Sequence, residues 1–286
     1  MSARYGTPVD PAAVNNPHAY AISMVGRGGR VLEVGCSVGH VTEHLVAAGN
    51  TVVGIEIDPE AAELARRVTT EVHVADIDRT PLGALVEPGF DVVLLGDVLE
   101  HLRDPDAALA DAVALLAPDG RVVISVPHVG FVDVRLMLLE GTWAYQGDGL
   151  LDRTHLRWFT YAGLGELLAG SGLTATRVER VRLGPHESGL PVTPGRHSAD
   201  VIRFAMADPE AATYQFVIEA RRAAPGEAPL PPAPEPAWPD LDAERAALES
   251  EVAHLNEANA ALTNEVAAWR RSKLGRLTTR LARLRG

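Results

Sequence analysis

The feature that most constrains this chain is a repeated pairing of short apolar runs with amphipathic segments. It marks residues 1 to about 222 as one domain, and its first clear strand lies in VLEVGCSVGH. Apolar runs at 31–34, 51–55, 72–75, 91–95 and 122–126 are too short for helices and read as buried strands. Helical segments lie between them, at about 39–48, from Pro59 onward and at about 106–116, where APDG signals a turn. Strand alternating with helix at this spacing predicts an α/β fold with a parallel, doubly wound sheet. A helix at 161–170 and strands at 174–183 and 214–220 follow, the last two expected to pair at one edge.

The remainder has a different composition. Residues 223–240, APGEAPLPPAPEPAWPDL, are proline-rich and predict a stiff, extended linker. In residues 241–270, Leu241, Leu248, Leu255, Leu262 and Trp269 recur every seven positions. With these as d, the a positions hold Arg245, Val252, Asn259 and Val266, a pattern that predicts a short parallel dimeric coiled coil. Residues 271–286 form a basic amphipathic tail, with Leu274, Leu277, Leu281 and Leu284 on one face among arginines. It reads as an interfacial or partner-docking helix, or as the frayed end of the coiled coil.

Charge and cysteine usage narrow the function classes. The net charge is −12, yet after Glu265 there are seven basic residues and no acids. So acidic a body excludes nucleic acid as the main partner. The lone cysteine, Cys36, allows no intrachain disulfide, as expected of a reducing compartment. No apolar run approaches the roughly 20 residues of a membrane span, and the first residues lack the apolar stretch of a signal peptide. A cytoplasmic protein is expected, with peripheral contact at the inner face of the membrane open through the basic tail.

In VLEVGCSVGH, Glu33, Gly35, Ser37 and Gly39 sit between a strand and a helix. Small residues there let the chain turn tightly and let a ligand approach free N–H groups at the helix start. Glu56, at the end of the second strand, stands where a carboxylate can accept both hydroxyls of a ribose. The dinucleotide fingerprint G-x-G-x-x-G fails, because Ser37 and His40 stand where glycines are required. Gly35 to Gly39 also match the nucleophile elbow G-x-S-x-G. That elbow would follow the first strand, with none before it to carry an oxyanion loop, and Glu56 would have no task.

Four blocks taken together, VLEVGCSVGHVTEHL, VVGIEIDPEAAELA, VHVADIDRTPL and FDVVLLGDVLEHLRDPDAAL, with LLAPDGRVVISVPH behind them, resemble a class I S-adenosylmethionine-dependent methyltransferase. The resemblance covers residues 31–172 and points to the broad group that includes ubiquinone-biosynthesis-type enzymes. It implies a Rossmann-like, seven-stranded sheet whose last strand is antiparallel, and S-adenosylmethionine as cofactor. It further implies that Glu33, Gly35, Ser37 and Gly39 shape the loop around the methionine moiety. Ser37 departs from the family's second glycine. By the same resemblance Glu56 binds ribose, Ile57 packs on adenine, Asp76 and Ile77 meet the adenine edge, and Gly96 and Asp97 border the methionine end.

The acceptor is expected above the carboxyl ends of the strands. A flap over residues 141–160 reaches that edge and contains GLLDRTHLRWFT. Methyl transfer from a sulfonium is an SN2 step, so the protein positions the acceptor and helps remove a hydroxyl proton. His155, His128 and His101 are the candidate bases. Arg153 and Arg157 suit an anionic acceptor, and Trp143, Tyr145 and Trp158 offer stacking faces for a ring. His128 and Asp133 are close in sequence, but no ligand-spaced cluster stands out and no metal is expected.

The heptads and basic tail resemble those of bacterial enzymes of surface-glycan assembly, which implies a saccharide or glycolipid acceptor and a glycosyltransferase partner or a homodimer. A quinone-like small molecule or a protein side chain is the alternative acceptor. A cofactor-binding scaffold without turnover is a third reading.

Overall fold

The computed structural model describes residues 9–69, 71–236, 238 and 240–272. It divides into two units, residues 1–237 and 238–286. In the first, β1 (Arg30–Val34), β2 (Thr51–Glu56), β3 (Glu71–Val74), β4 (Phe90–Gly96), β5 (Leu116–Pro127), β6 (Leu173–Arg182) and β7 (Thr213–Arg222) form one seven-stranded sheet. The spatial order is β3-β2-β1-β4-β5-β7-β6. Neighbours from β3 through β5 are parallel, and β7 runs antiparallel to both β5 and β6. The expected Rossmann-like sheet with an antiparallel last strand is therefore present. Its order reverses between β1 and β4, which opens a crevice at their carboxyl ends.

Both faces of the sheet are covered, which is why its strands read as unbroken apolar runs. Val31, Val52, Leu94, Val123 and Val217 meet Met24 and Val25 of α1 (Pro17–Val25) and Leu45 of α2 (His40–Ala47). On the same side, Ala62 and Ala65 of α3 (Pro59–Ala65) pack with Cys36 and Val72. The alternate residues Leu32, Val53, Leu95, Ile124 and Ile218 meet Leu109 of α4 (Pro105–Ala114) and Leu164 of α6 (Tyr161–Gly170).

Three departures from the sequence expectation shape the site. Helix α1 was not foreseen; Asn16 caps it by accepting from the Ala19 N–H, with Pro17 in its first turn. The APDG turn lies inside β5, because Leu116 already pairs with Phe90 and the next ladder pair is Arg121 with Val92. The chain between bulges out, and a Cβ on Gly120 would lie 2.7 Å from the Phe90 carbonyl oxygen.

The third departure is the lid, which is far more than a flap. Helices α5 (Val132–Leu139) and α7 (Ala199–Ala205) join the 141–160 segment in a second apolar core built on Phe131, Leu136, Met137, Leu150, Leu151 and Leu190. Two acids on α5 and at its end hold the segment before α7. Asp133, fully buried, accepts from the His186 N–H at 2.7 Å and the Ser188 hydroxyl at 2.5 Å. Glu140 accepts from the Thr193 N–H and hydroxyl, both at 3.0 Å, with His197 alongside.

The first part of the proline-rich segment turns at 224–227, where the Glu227 N–H donates to the Ala224 carbonyl, and then lies on the domain. Ala175 of the edge strand donates to the Pro229 carbonyl, Thr174 to that of Ala228 and the Tyr161 hydroxyl to that of Pro231, while Leu230 is buried. In the second unit, α8 (Leu241–Arg271) is one helix on which Leu248, Val252, Leu255, Leu262, Val266 and Trp269 are exposed. The basic tail from residue 273 on lies outside the described residues. No helix among the described residues is long and apolar enough to cross a membrane.

Glu33 carries a measurable electrostatic cost. It lies within β1 under α2, 4% exposed, and accepts from the Thr42 hydroxyl at 2.6 Å. Burial pushes its carboxyl from the ordinary 4.5 to about 7, against the Thr42 bond, with Glu56 adding to the rise. The neutral acid is favoured in the fold, so the contribution of Glu33 to stability is greatest below about pH 4.5 and falls as pH rises to about 7. The loss is about 3 kcal/mol. Glu33→Gln keeps an acceptor for Thr42 and removes the ionisation. Urea unfolding from pH 5 to 8 should show a flatter profile for this variant and greater stability at pH 8. Identical slopes in both proteins would contradict the buried, protonated carboxyl.

Candidate active site

The loop after β1 is built from positive-φ backbone. Gly35 (φ +75°), Ser37 (φ +48°) and Gly39 (φ +91°) all occupy the left-handed side. A Cβ on Gly39 would lie 2.7 Å from Val68 Cγ2 and 3.1 Å from the Ala65 backbone. Ser37 therefore has the backbone that its glycine counterpart would adopt freely, at a cost of about 1 kcal/mol. Its N–H donates to Glu56 Oε2 at 2.8 Å, and the Asp58 N–H donates to Glu56 Oε1 at 2.9 Å. One carboxylate thus ties the β1 loop to the β2 loop, while Gly35 and Cys36 donate to the Ile55 carbonyl. Cys36 is buried, and burial pushes its thiol far up, so it is inert packing.

The other expected cofactor residues line the same edge. Ile57 is 63% exposed, a large apolar side chain left open directly after β2. Asp76, after β3, accepts from the Asp78 N–H at 3.0 Å and pairs with Arg79 at 3.1 Å, so it also braces its own turn. Ile77 packs against the main core. Gly96 ends β4, and Asp97 follows with φ +55°. Asp97 Oδ1 accepts from Gln215 at 2.5 Å and from the Ser125 hydroxyl at 3.2 Å. Its other oxygen faces His18 of α1 at 3.9 Å. Burial in the crevice pushes the Asp97 carboxyl up, and the nearby His18 opposes that.

The lid docks on the turn after β4. The Glu100 carbonyl accepts from the Leu156 N–H at 2.7 Å and the Arg157 N–H at 3.0 Å. Val129, after β5, donates to the Phe159 carbonyl. Arg157 turns its guanidinium onto the Arg103 carbonyl and so pins the lid, while the Arg153 side chain is exposed. This docking brings His155 to His101, with ring centroids 4.7 Å apart. His155 is 9% exposed, and its Nδ1 bonds the Leu150 carbonyl at 2.9 Å. Burial, reinforced by His101, lowers its pKa. Its ring also meets Trp158 edge-on at 5.7 Å, and Trp143 and Tyr145 complete an aromatic wall.

His128 stands apart from this group. It is buried, bonds the Thr213 carbonyl through Nδ1 at 3.0 Å and packs on Phe216; burial lowers its pKa. Asp152 bonds the N–H and hydroxyl of Thr154, both at 2.8 Å. Residues not foreseen as part of the site are Glu100, His18, Ser125 and Gln215. Glu100 is 1% exposed, and burial, with Asp97 nearby, holds its carboxyl well above the usual range. Its adjacency to His101 in LEHL was visible, but its burial was not.

Comparison with known proteins agrees with this geometry. A curated relative, the ubiquinone biosynthesis O-methyltransferase of Ralstonia nicotianae, is 37% identical over 132 residues, covering 41% of this chain and 56% of its own. Its counterpart from Xanthomonas euvesicatoria is 30% identical over 154 residues, covering 48% and 63%. The chain therefore spans less than two thirds of the length of these relatives. Among solved structures, an S-adenosylmethionine-dependent methyltransferase from Archaeoglobus fulgidus superposes with a TM-score of 0.53 at 17% identity, covering 74% of this chain and 94% of that one. The magnesium protoporphyrin IX methyltransferase of Synechocystis, solved with S-adenosylhomocysteine bound, gives 0.51 at 16% identity, covering 77% and 91%. At that identity these two show the fold. A family model described as a methyltransferase domain matches residues 19–178, more than half of the chain, which belongs to the class I S-adenosylmethionine-dependent methyltransferases.

Proposed function

We propose that this enzyme transfers the methyl group of S-adenosylmethionine to a hydroxyl oxygen of a ring-shaped acceptor held beneath the lid. The observation that carries this reading is the pairing of His101 and His155 beside the Trp143–Tyr145–Trp158 wall, at the crevice where the strand order reverses. The wall offers ring faces, and the imidazoles act on the acceptor hydroxyl. The cofactor lies along the carboxyl ends of β1 to β4. The Gly35–Gly39 loop receives its methionine end, Glu56 its ribose, and Ile57, Asp76 and Ile77 its adenine. The naming of the curated relatives as O-methyltransferases of ubiquinone biosynthesis favours a phenolic ring over the saccharide expected from the tail. That saccharide reading rests on the heptads and basic tail, together with the arginines and aromatic rings of the lid.

Transfer needs the acceptor oxygen in line with the methyl carbon and sulfur, about 3–3.5 Å from the carbon. The C–S bond then breaks with its electron pair kept by sulfur. The sulfonium becomes a neutral thioether, and the hydroxyl proton passes to solvent water. The aromatic wall and docked lid would keep water from the sulfonium while the hydroxyl is positioned.

Two measurements test this reading. In calorimetric titration with S-adenosylhomocysteine, Ile57→Asp should weaken binding by about tenfold or more, since an apolar contact is replaced by a charge. Unchanged affinity would remove Ile57 from the adenine site. With labelled S-adenosylmethionine, a panel of dihydroxyphenyl compounds, saccharides and fractionated cell extract should take label first in phenolic acceptors. His155→Ala should lower kcat by about a hundredfold or more. Label confined to saccharides would restore the glycan reading. Cofactor binding with no transfer to any acceptor would favour a scaffold.

A further inference from the structure

We propose that Glu100, His101 and His155 form a binding site for one divalent cation, to which the acceptor attaches through its hydroxyl oxygen. This rests on the acceptor position proposed above and adds a substrate class, an acceptor with two adjacent oxygens such as a catechol or vicinal diol.

Four observations meet at this point. One ligand atom from each of the three residues lies within 4.8 Å of the others. Glu100 Oε2 is the one buried side-chain nitrogen or oxygen among the described residues without a hydrogen-bond partner. An orphaned buried carboxylate oxygen is rare in a native fold and calls for an unseen partner. The imidazoles are held in the tautomers that ligation requires. His155 donates through Nδ1 to the Leu150 carbonyl, which leaves the Nε2 lone pair open. His101 Nδ1 lies 3.1 Å from the Thr154 hydroxyl and 3.3 Å from its carbonyl. The Thr154 hydroxyl donates in turn to Asp152 at 2.8 Å. An Asp152–Thr154–His101 chain of this kind is the outer support that orients a ligating imidazole.

The donor set selects the ion. Two imidazoles and one carboxylate suit a borderline divalent cation such as zinc, cobalt, manganese or ferrous iron, and do not supply the oxygen cage that calcium needs. Tetrahedral ligand atoms about 2.0–2.2 Å from one ion lie about 3.3–3.6 Å apart. Three atoms that already lie within 4.8 Å of one another therefore close on an ion by side-chain adjustment alone. Three protein ligands leave positions open for two acceptor oxygens. A hydroxyl held there would lose its proton to solvent water more readily. Its oxygen would then attack the methyl carbon as the C–S bond breaks toward sulfur.

The test is direct binding to the full chain, freed of any affinity tag and stripped with a chelator. Cobalt(II) serves as the probe, with its visible absorption as readout, and bound zinc is counted by elemental analysis. The expected result is one ion per chain. Glu100→Gln and His155→Ala should each weaken binding at least tenfold while still binding S-adenosylhomocysteine, which shows that they fold. His73→Ala, distant in sequence from all three ligands, should bind cobalt as the parent does. Absence of stoichiometric binding, or equal binding by parent and both ligand variants, would overturn the site. Methyl transfer that survives chelation with no ion bound would also overturn it, while leaving the methyltransferase reading intact. Stoichiometric binding without transfer to any acceptor would uphold the site and count against that reading.

Discussion

The site depends on one docking contact, in which a single carbonyl, that of Glu100, receives two consecutive N–H groups of the lid. Leu156 and Arg157 are held against the turn after β4, and His155 must then lie against His101. The Glu100 side chain is buried at the same place, with His101 and His155 nearby. A buried carboxyl, two imidazoles and an aromatic wall are thus consequences of where one short segment attaches. The lid can hold that attachment because it has its own apolar core and two acids that fasten the segment before α7.

The cofactor side follows a different logic. Parallel strands end together, so the loops after β1, β2, β3 and β4 line one edge without any long-range adjustment. What the chain adds is the bracing by Glu56, whose two oxygens hold the β1 and β2 loops in fixed relation. That bracing also explains how Ser37 is tolerated in a left-handed conformation: its N–H has a charged acceptor exactly where the turn directs it. Asp97 shows the same pattern at the end of β4, with a positive φ and a carboxyl group fixed by Ser125 of β5 and Gln215 of β7.

Much of this was legible in the sequence, for a physical reason. Strands buried on both faces must be continuously apolar, and the loops after them must be small or acidic, so the sheet and its cofactor edge were visible residue by residue. Other parts were not. Helix α1 is short and apolar throughout its centre, with no polar face to mark a period. Helix α5, VDVRLMLL, reads equally well as a strand because it is buried on most sides. The APDG turn was recognised, but not that β5 would resume its pairing across it. Thr154, beside His155, lies 53 residues from His101, and spacing along the chain cannot show that they meet. The bond from the Glu100 carbonyl to the lid, which unites them, is made by backbone, and backbone carries no sequence signal.

The measurement that tests this account most directly is a crystal structure with S-adenosylhomocysteine bound. The account predicts the adenosine along the ends of β2 and β3, with the ribose on Glu56. The sulfur should face the Glu100–His101–His155 corner, with room for one acceptor ring between them against Trp158. A sulfur directed away from that corner, or separated from it by the docked lid, would contradict the assignment of the acceptor site.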